Sequence, residues 1–185
     1  MTKEINTTRF GKLSFPTDYV IRFRDGIIGF PDLKEYVFIE STTMPLVLWL
    51  QSTEDASVAF PLVEPQLFRK DYTYSLNHAD DAMISIKPES KLKAFLIMTI
   101  PASVEHMSVN LRAPVIVNMT ESTAGQIILQ DKTLALRENV FKEFQNAMDS
   151  LAHFELSDSE EPKWSAHNWK EDARRQHGGS VPMTV

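Results

Sequence analysis

The chain has 185 residues, 43% hydrophobic and 24% charged, with a net charge of −6 and no cysteine. That length can bury a substantial core unaided, and the missing cysteine excludes disulfides, thiolate zinc sites and cysteine nucleophiles. No stretch has the length of a membrane-spanning helix, and no window is basic enough to advertise a phosphate-binding face. The N-terminal MTKEINTTRF lacks the apolar run of a secretory signal, so the expectation is a cytoplasmic protein that touches neither membrane nor nucleic acid.

In chain order, YVIRFR (19–24) reads as a strand ended by the turn signal Asp25-Gly26. Gly26 and Gly29 supply the positive φ of a turn and let Phe30 fold inward. EYVFIES (35–41), PLVLWLQS (45–52), SVAFPLVEP (57–65) and DYTYSL (71–76) follow at short spacing. NHADDAMISI (77–86) holds one helical turn with Asn77 as its cap, and its His78, Asp80 and Asp81 read as a solvated acidic loop rather than metal ligands. After the strand KAFLIMTI (93–100) comes HMSVNLRAPVIVNMT (106–120), apolar at every odd position from Met107 to Met119. Such alternation predicts one long strand whose odd face lines the core. Its even face, with Asn110, Arg112, Ile116 and Asn118, is wet surface or interface. Pro61 and Pro114 place their strands at an edge or a bulge. QIILQ (126–130) closes the β series.

Strands recurring so regularly predict an antiparallel sandwich or barrel. LVLWL, VAFPLV and AFLIM are apolar at both parities, so both of their faces need cover. A closed barrel covered on part of its outside meets that need. The predicted fold is therefore mainly β, an antiparallel barrel-like single domain with a C-terminal amphipathic helix.

That helix is expected over residues 138–154, where Phe141, Phe144, Met148 and Leu151 form an apolar stripe. It either covers the β domain or serves as a docking or dimerisation element. Residues 155–162 carry four acids and no base, and 163–185 is polar apart from Trp164 and Trp169. The organisation predicted is a β domain over 1–137, a helix packed on it over 138–154, and an acidic linker with a flexible tail over 155–185.

Catalysis finds little support. The five histidines show no metal-ligand spacing, no nucleophile elbow is present, and Gly26-Ile-Ile-Gly29 is neither a dinucleotide fingerprint nor a P-loop. No catalytic, cofactor or metal residue is assigned. The acidic loops at Glu54, Asp55, Asp80 and Asp81, together with Asn110, Arg112 and Asn118, are the candidate partner-binding residues. A barrel that holds a small ligand or performs a weak hydrolysis is the other reading.

FRDGIIGFPDL (23–33), LWLQSTEDASVAFPLVEP (48–65), SVNLRAPVIVNM (108–119) and GQIILQDKTLALR (125–137) together resemble the flagellar assembly factor FliW family. The resemblance runs over about residues 5–137 and implies a small barrel-like protein without catalytic activity. It also implies binding to the translational repressor CsrA, a basic dimer antagonised away from its RNA site, and to flagellin, which takes the factor away from the repressor. Gly29, Phe30, Leu50, Gln51, Phe60, Pro65, Asn110, Leu111, Pro114 and Asn118 match the family pattern, mostly in structural roles.

Overall fold

A computed structural model describes residues 1–41, 44–152 and 164–169. Its elements are β1 (Thr2–Thr7), β2 (Gly11–Pro16), β3 (Ile21–Phe23), β4 (Glu35–Ser41), β5 (Leu48–Ser52), β6 (Ala59–Val63), α1 (His78–Met83) and β7 (Leu92–Thr99). They continue with β8 (Ser108–Val109), β9 (Val115–Asn118), β10 (Thr123–Gln126), β11 (Glu138–Asn139), α2 (Phe141–Ala152) and β12 (Trp164–Ala166). Strands β7, β6, β5, β4, β3, β10 and β9 neighbour one another in that order, and β9 returns to β7, closing a seven-stranded barrel. Directions can alternate all the way round a ring only when the strand number is even. Seven strands therefore force one parallel pair, and it is β3 with β10, at Arg22↔Thr123 and Phe23↔Ala124. The other barrel pairs are antiparallel, as predicted.

One residue parity from every barrel strand joins a single buried cluster that includes Ile21, Phe38, Leu50, Leu62, Phe95, Val117 and Ala124. Phe38 on β4 and Phe95 on β7 stand 5.5 Å apart although two strands separate them in the sheet, so they meet across the interior. A barrel this small is filled by its own side chains. The opposite parity, with Val37, Trp49, Val63, Leu96 and Ile116, is buried too. Its covers include the β1–β2 hairpin, where Phe10 meets the Trp49 ring edge-on at 5.6 Å, and α2, where Phe144 is buried and Phe141 and Met148 pack on the same cluster. Double-sided cover is why the central strands are apolar throughout. The helix is shorter than 138–154 at its start, because residues 138–139 pair with β8 before Asn139 accepts from the Phe141 amide at 3.2 Å.

The long strand over 107–119 does not form as one. Between Phe95↔Val115 and Met98↔Val109, β7 advances three residues while its partner advances six, so 110–114 bulges out. Asn110 Oδ1 holds the bulge by accepting from the amides of Arg112 (3.1 Å) and Ala113 (3.0 Å), and Pro114, lacking an N–H, ends it. The even face is not wet either: Ser108, Ile116 and Asn118 are buried. DYTYSL is no strand. It runs as irregular chain that buries Tyr72 and brings its hydroxyl to the Leu111 carbonyl at 2.7 Å, a second brace on the bulge. The last barrel strand lies at 123–126 rather than 126–130, since its regular partner ends at Val115 and the Ile127 and Leu129 amides bond to the bulge instead. Gly125 lets α1 approach closely, as a Cβ there would meet Met83 Sδ at 2.5 Å.

The expected tail is also corrected at 164–169. Residues 164–166 pair antiparallel with β4, and Trp169 is 1% exposed within the interior cluster. The remainder of 153–185 lies outside the described residues.

Tyr36 is fully buried, and its hydroxyl has no hydrogen-bond partner among the described residues. Burial, and then the Glu54 carboxylate, push its pKa up, so the group stays neutral. An orphaned buried hydroxyl costs about 1–3 kcal/mol. Tyr36→Phe should therefore stabilise the fold by about 1 kcal/mol, raising Tm by about 2–4 °C in a chain of this size. A fall in Tm in a thermal melt would show that the hydroxyl does have a partner.

Candidate functional site

The segment DGIIGF forms a tight loop whose shape two glycines impose. Gly26 has φ +72°, and a Cβ there would lie 2.4 Å from the Phe30 carbonyl oxygen. Gly29 has φ +90°. The Phe30 amide donates back to the Ile27 carbonyl at 2.7 Å. Ile27 is thereby buried, while Ile28 at the tip is 57% exposed and Phe30 37%. Phe30 does not fold into the core as the sequence suggests. It lies edge-on against Phe60 at 5.3 Å, on the barrel's rim. Gln126 fixes the tip from below, accepting from the Ile28 amide at 3.0 Å and donating to the Ala113 carbonyl at 3.2 Å.

Beside this loop the barrel wall opens. β6 and β7 pair only at Leu62↔Ile97 and Val63↔Leu96, and beyond Ile97 the two strands part. The gap is a groove of about 290 Å³ lined by Ile27, Ile28, Phe60, Ile97, Thr99, Asn110, Gln126, Leu136 and Arg137. Leu136 is 56% exposed. Scattered apolar exposure is ordinary, but here the exposed Ile28 and Leu136 share one concavity with Phe60 and Ile97. Thr99, Asn110, Gln126 and Arg137 supply polar edges, the anatomy of a protein-docking surface.

A second hollow, about 230 Å³, opens at the other end of the strands and shares no lining residue with the first. Its charged groups are paired: Lys93 Nζ sits 2.7 Å from Glu64, and His167 Nδ1 2.6 Å from Glu40. Leu62 and Phe95 of the interior cluster form its floor.

The candidate partner residues are not brought together. Glu54 and Asp55 sit in the β5–β6 turn. Glu54 accepts from the amides of Lys34 and Glu35, and Asp55 from the amide and hydroxyl of Ser57, whose bonds hold the Asp55 carboxyl below its usual range. Asp80 completes the capping box of α1 with Asn77, and Asp81 lies 3.8 Å from His78. α1 leads into Ile84 and Ser85, which bond Asn118 at the far end of β9, so the two acidic pairs face opposite ends of the barrel. They make no single patch. Asn118 is fully buried and braces loops, so it presents nothing to a partner. Asn110 shapes the bulge and reaches the groove, and Arg112 Nε donates to the Asp131 carbonyl at 3.4 Å. Of the groove's apolar lining, Ile28, Ile97 and Leu136 carried no site reading from the sequence, and Phe60 was read only as a match to the family pattern. Their only sequence signal is an isoleucine pair between two glycines, an apolar tip on a turn.

Among the described residues no group of His, Asp and Glu is placed to hold a metal, and no helix is long and apolar enough to cross a membrane. Fold and groove together define a side-chain-filled β-barrel with a recessed, partly apolar surface beside the Ile28 loop. A family model for FliW protein matches residues 3–140, and the chain belongs to that family. The flagellar assembly factor FliW of Bdellovibrio bacteriovorus is 38% identical over 141 residues, 76% of this chain and 81% of that one. The factor of the same name from Caldanaerobacter subterraneus subsp. tengcongensis is 33% identical over 146 residues, covering 78% and 97%. A crystal structure of the flagellar assembly factor FliW superposes with a TM-score of 0.69 at 24% identity, covering 75% of this chain and 97% of that one.

Proposed function

We propose that this chain is a non-catalytic, cytoplasmic regulator of flagellar assembly that binds a CsrA-like repressor dimer and flagellin in turn. While it holds the repressor, flagellin translation proceeds; flagellin that accumulates takes it away and translation stops. Family membership supports the flagellar setting. The observation that carries a binding role is the groove where Ile28 and Leu136 stand exposed beside Phe60. A net charge of −6 adds long-range attraction to a basic RNA-binding dimer and repulsion of RNA.

The test is titration calorimetry with purified repressor and flagellin. Each should bind the wild-type chain, and flagellin added to the repressor complex should release the repressor. Ile28→Asp with Leu136→Asp puts two charges into the groove without touching the core. It should weaken at least one partner about 1,000-fold, the scale of two hot-spot losses of about 2 kcal/mol each, and leave Tm unchanged. A stable ternary complex would sink the switch. Unaltered affinity for both partners would remove the groove from it.

A further inference from the structure

Strand β3 leaves β4 early. Their pairing covers only Ile21↔Tyr36 and Arg22↔Glu35, and the chain before β3 turns away through a 3-10 turn at Thr17–Tyr19. From Phe38 onward that edge of β4 has lost its neighbour, and an unpaired edge is a template for another strand. Residues 164–167 take the place. Trp164, Ser165 and Ala166 pair with Ser41, Glu40 and Ile39, and the His167 amide donates to the Phe38 carbonyl at 2.8 Å. Two residues later Trp169 enters the interior cluster beside Ile21 and Phe38, and its indole N–H donates to the Tyr19 carbonyl at 3.1 Å.

This strand lies outside the unit shared with the relatives. The family match stops at residue 140, and the Caldanaerobacter factor, 97% matched, covers only 78% of this chain. Taken without 164–169, the shared barrel has an open strand edge next to a pocket of tryptophan size. Main-chain pairing for affinity and a side-chain pocket for specificity is how sheet edges bind extended peptides.

We propose that the β4 edge at residues 38–41 and the pocket of Trp169 form a binding groove for an extended peptide bearing an aromatic side chain, which residues 164–169 occupy in cis. The site is separate from the groove at Ile28 and does not depend on the partner switch. A tethered occupant competes at an effective concentration on the order of mM, so it sets the affinity that an outside peptide must exceed.

The probe is a fluorescent peptide of this chain's residues 162–171, added to the full-length protein and followed by anisotropy. Wild type, with its groove filled, should bind it at least about tenfold more weakly than Trp169→Ala, whose own segment has lost its anchor. A peptide with alanine in place of the second tryptophan should not bind. Ser165→Pro, whose ring blocks strand pairing while sparing the pocket, carries the same comparison should Trp169→Ala fail to fold. Equal binding to wild type and a folded variant would overturn the proposal, as would no binding to either or indifference to the peptide's tryptophan. Failure of both variants to fold would overturn it too, since 164–169 would then be an inseparable part of the core.

Discussion

Asn118→Ala should cost about 3–5 kcal/mol, a large part of the 5–15 kcal/mol that holds a typical domain together. The side chain is fully buried, and every polar atom of it is engaged. Its Nδ2 group reaches the carbonyls of Ile84 (3.0 Å) and Ser85 (3.1 Å) and the Ser90 hydroxyl (3.1 Å). Its Oδ1 accepts from the amides of Thr120 (3.2 Å) and Glu121 (3.3 Å). One amide thus ties the loop after α1 to the turn between β9 and β10. Both segments contain a non-glycine residue at positive φ, Ser85 at 57° and Ser122 at 59°, conformations that persist only where surroundings impose them. Alanine leaves several of those groups without partners in a site too crowded to solvate. Asn118→Asp should be no milder, because it keeps the shape but turns lone pairs toward the carbonyls of Ile84 and Ser85. Thermal melts of both variants check this. A loss under about 1 kcal/mol for alanine would return Asn118 to the list of partner-binding candidates.

The barrel was legible where the code is local and redundant. β5, β6 and β7 are apolar at both parities, and that alone demands cover on two sides, hence closure plus an outer layer. The cap of α1 was legible for the same reason, since Asn77 stands directly ahead of the helical turn and its side chain accepts from the amides of Ala79 and Asp80; the return bond from Asp80 was not read. Features made by distant segments were not. The 107–119 alternation is genuine, yet Asn110, closing a turn over Arg112 and Ala113, outcompetes the ladder and throws the strand out of register. The β1–β2 hairpin escaped notice although Ile5, Leu13 and Phe15 alternate with polar residues on either side of Gly11. The groove lies where β6 and β7 diverge after Ile97, and Pro61 read only as a mark of an edge or a bulge in β6, with nothing to show that an apolar hollow would form there. Trp169 sits in a polar stretch whose average composition hid one decisive side chain.

That side chain makes a truncation series informative. Composition suggests that a chain ending at Glu161 should melt like the full one, and the placement of Trp169 reverses this. Deleting a buried tryptophan side chain costs about 3–5 kcal/mol, and here the edge bonds of β12 go with it. Ending the chain at Arg137 also removes β11, the buried Val140, whose amide donates to the Met107 carbonyl at 3.2 Å, and Phe144 on α2. Val140 and Phe144, at about 1.5–3 kcal/mol each, add about 3–6 kcal/mol to the loss of Trp169, and the total is within reach of the whole stability. An isolated helix as short as α2 is marginal in water, so its order comes from this packing and not from its own propensity. Melting temperatures should therefore fall in two steps, first from the full chain to 1–161 and then more steeply to 1–137, with aggregation at the last. Equal Tm for the full chain and 1–161 would mean that burying Trp169 adds nothing. Equal Tm for 1–161 and 1–137 would mean that α2 is held too weakly to belong to the core, and its stripe of Phe141, Phe144 and Met148 would then be open to a partner.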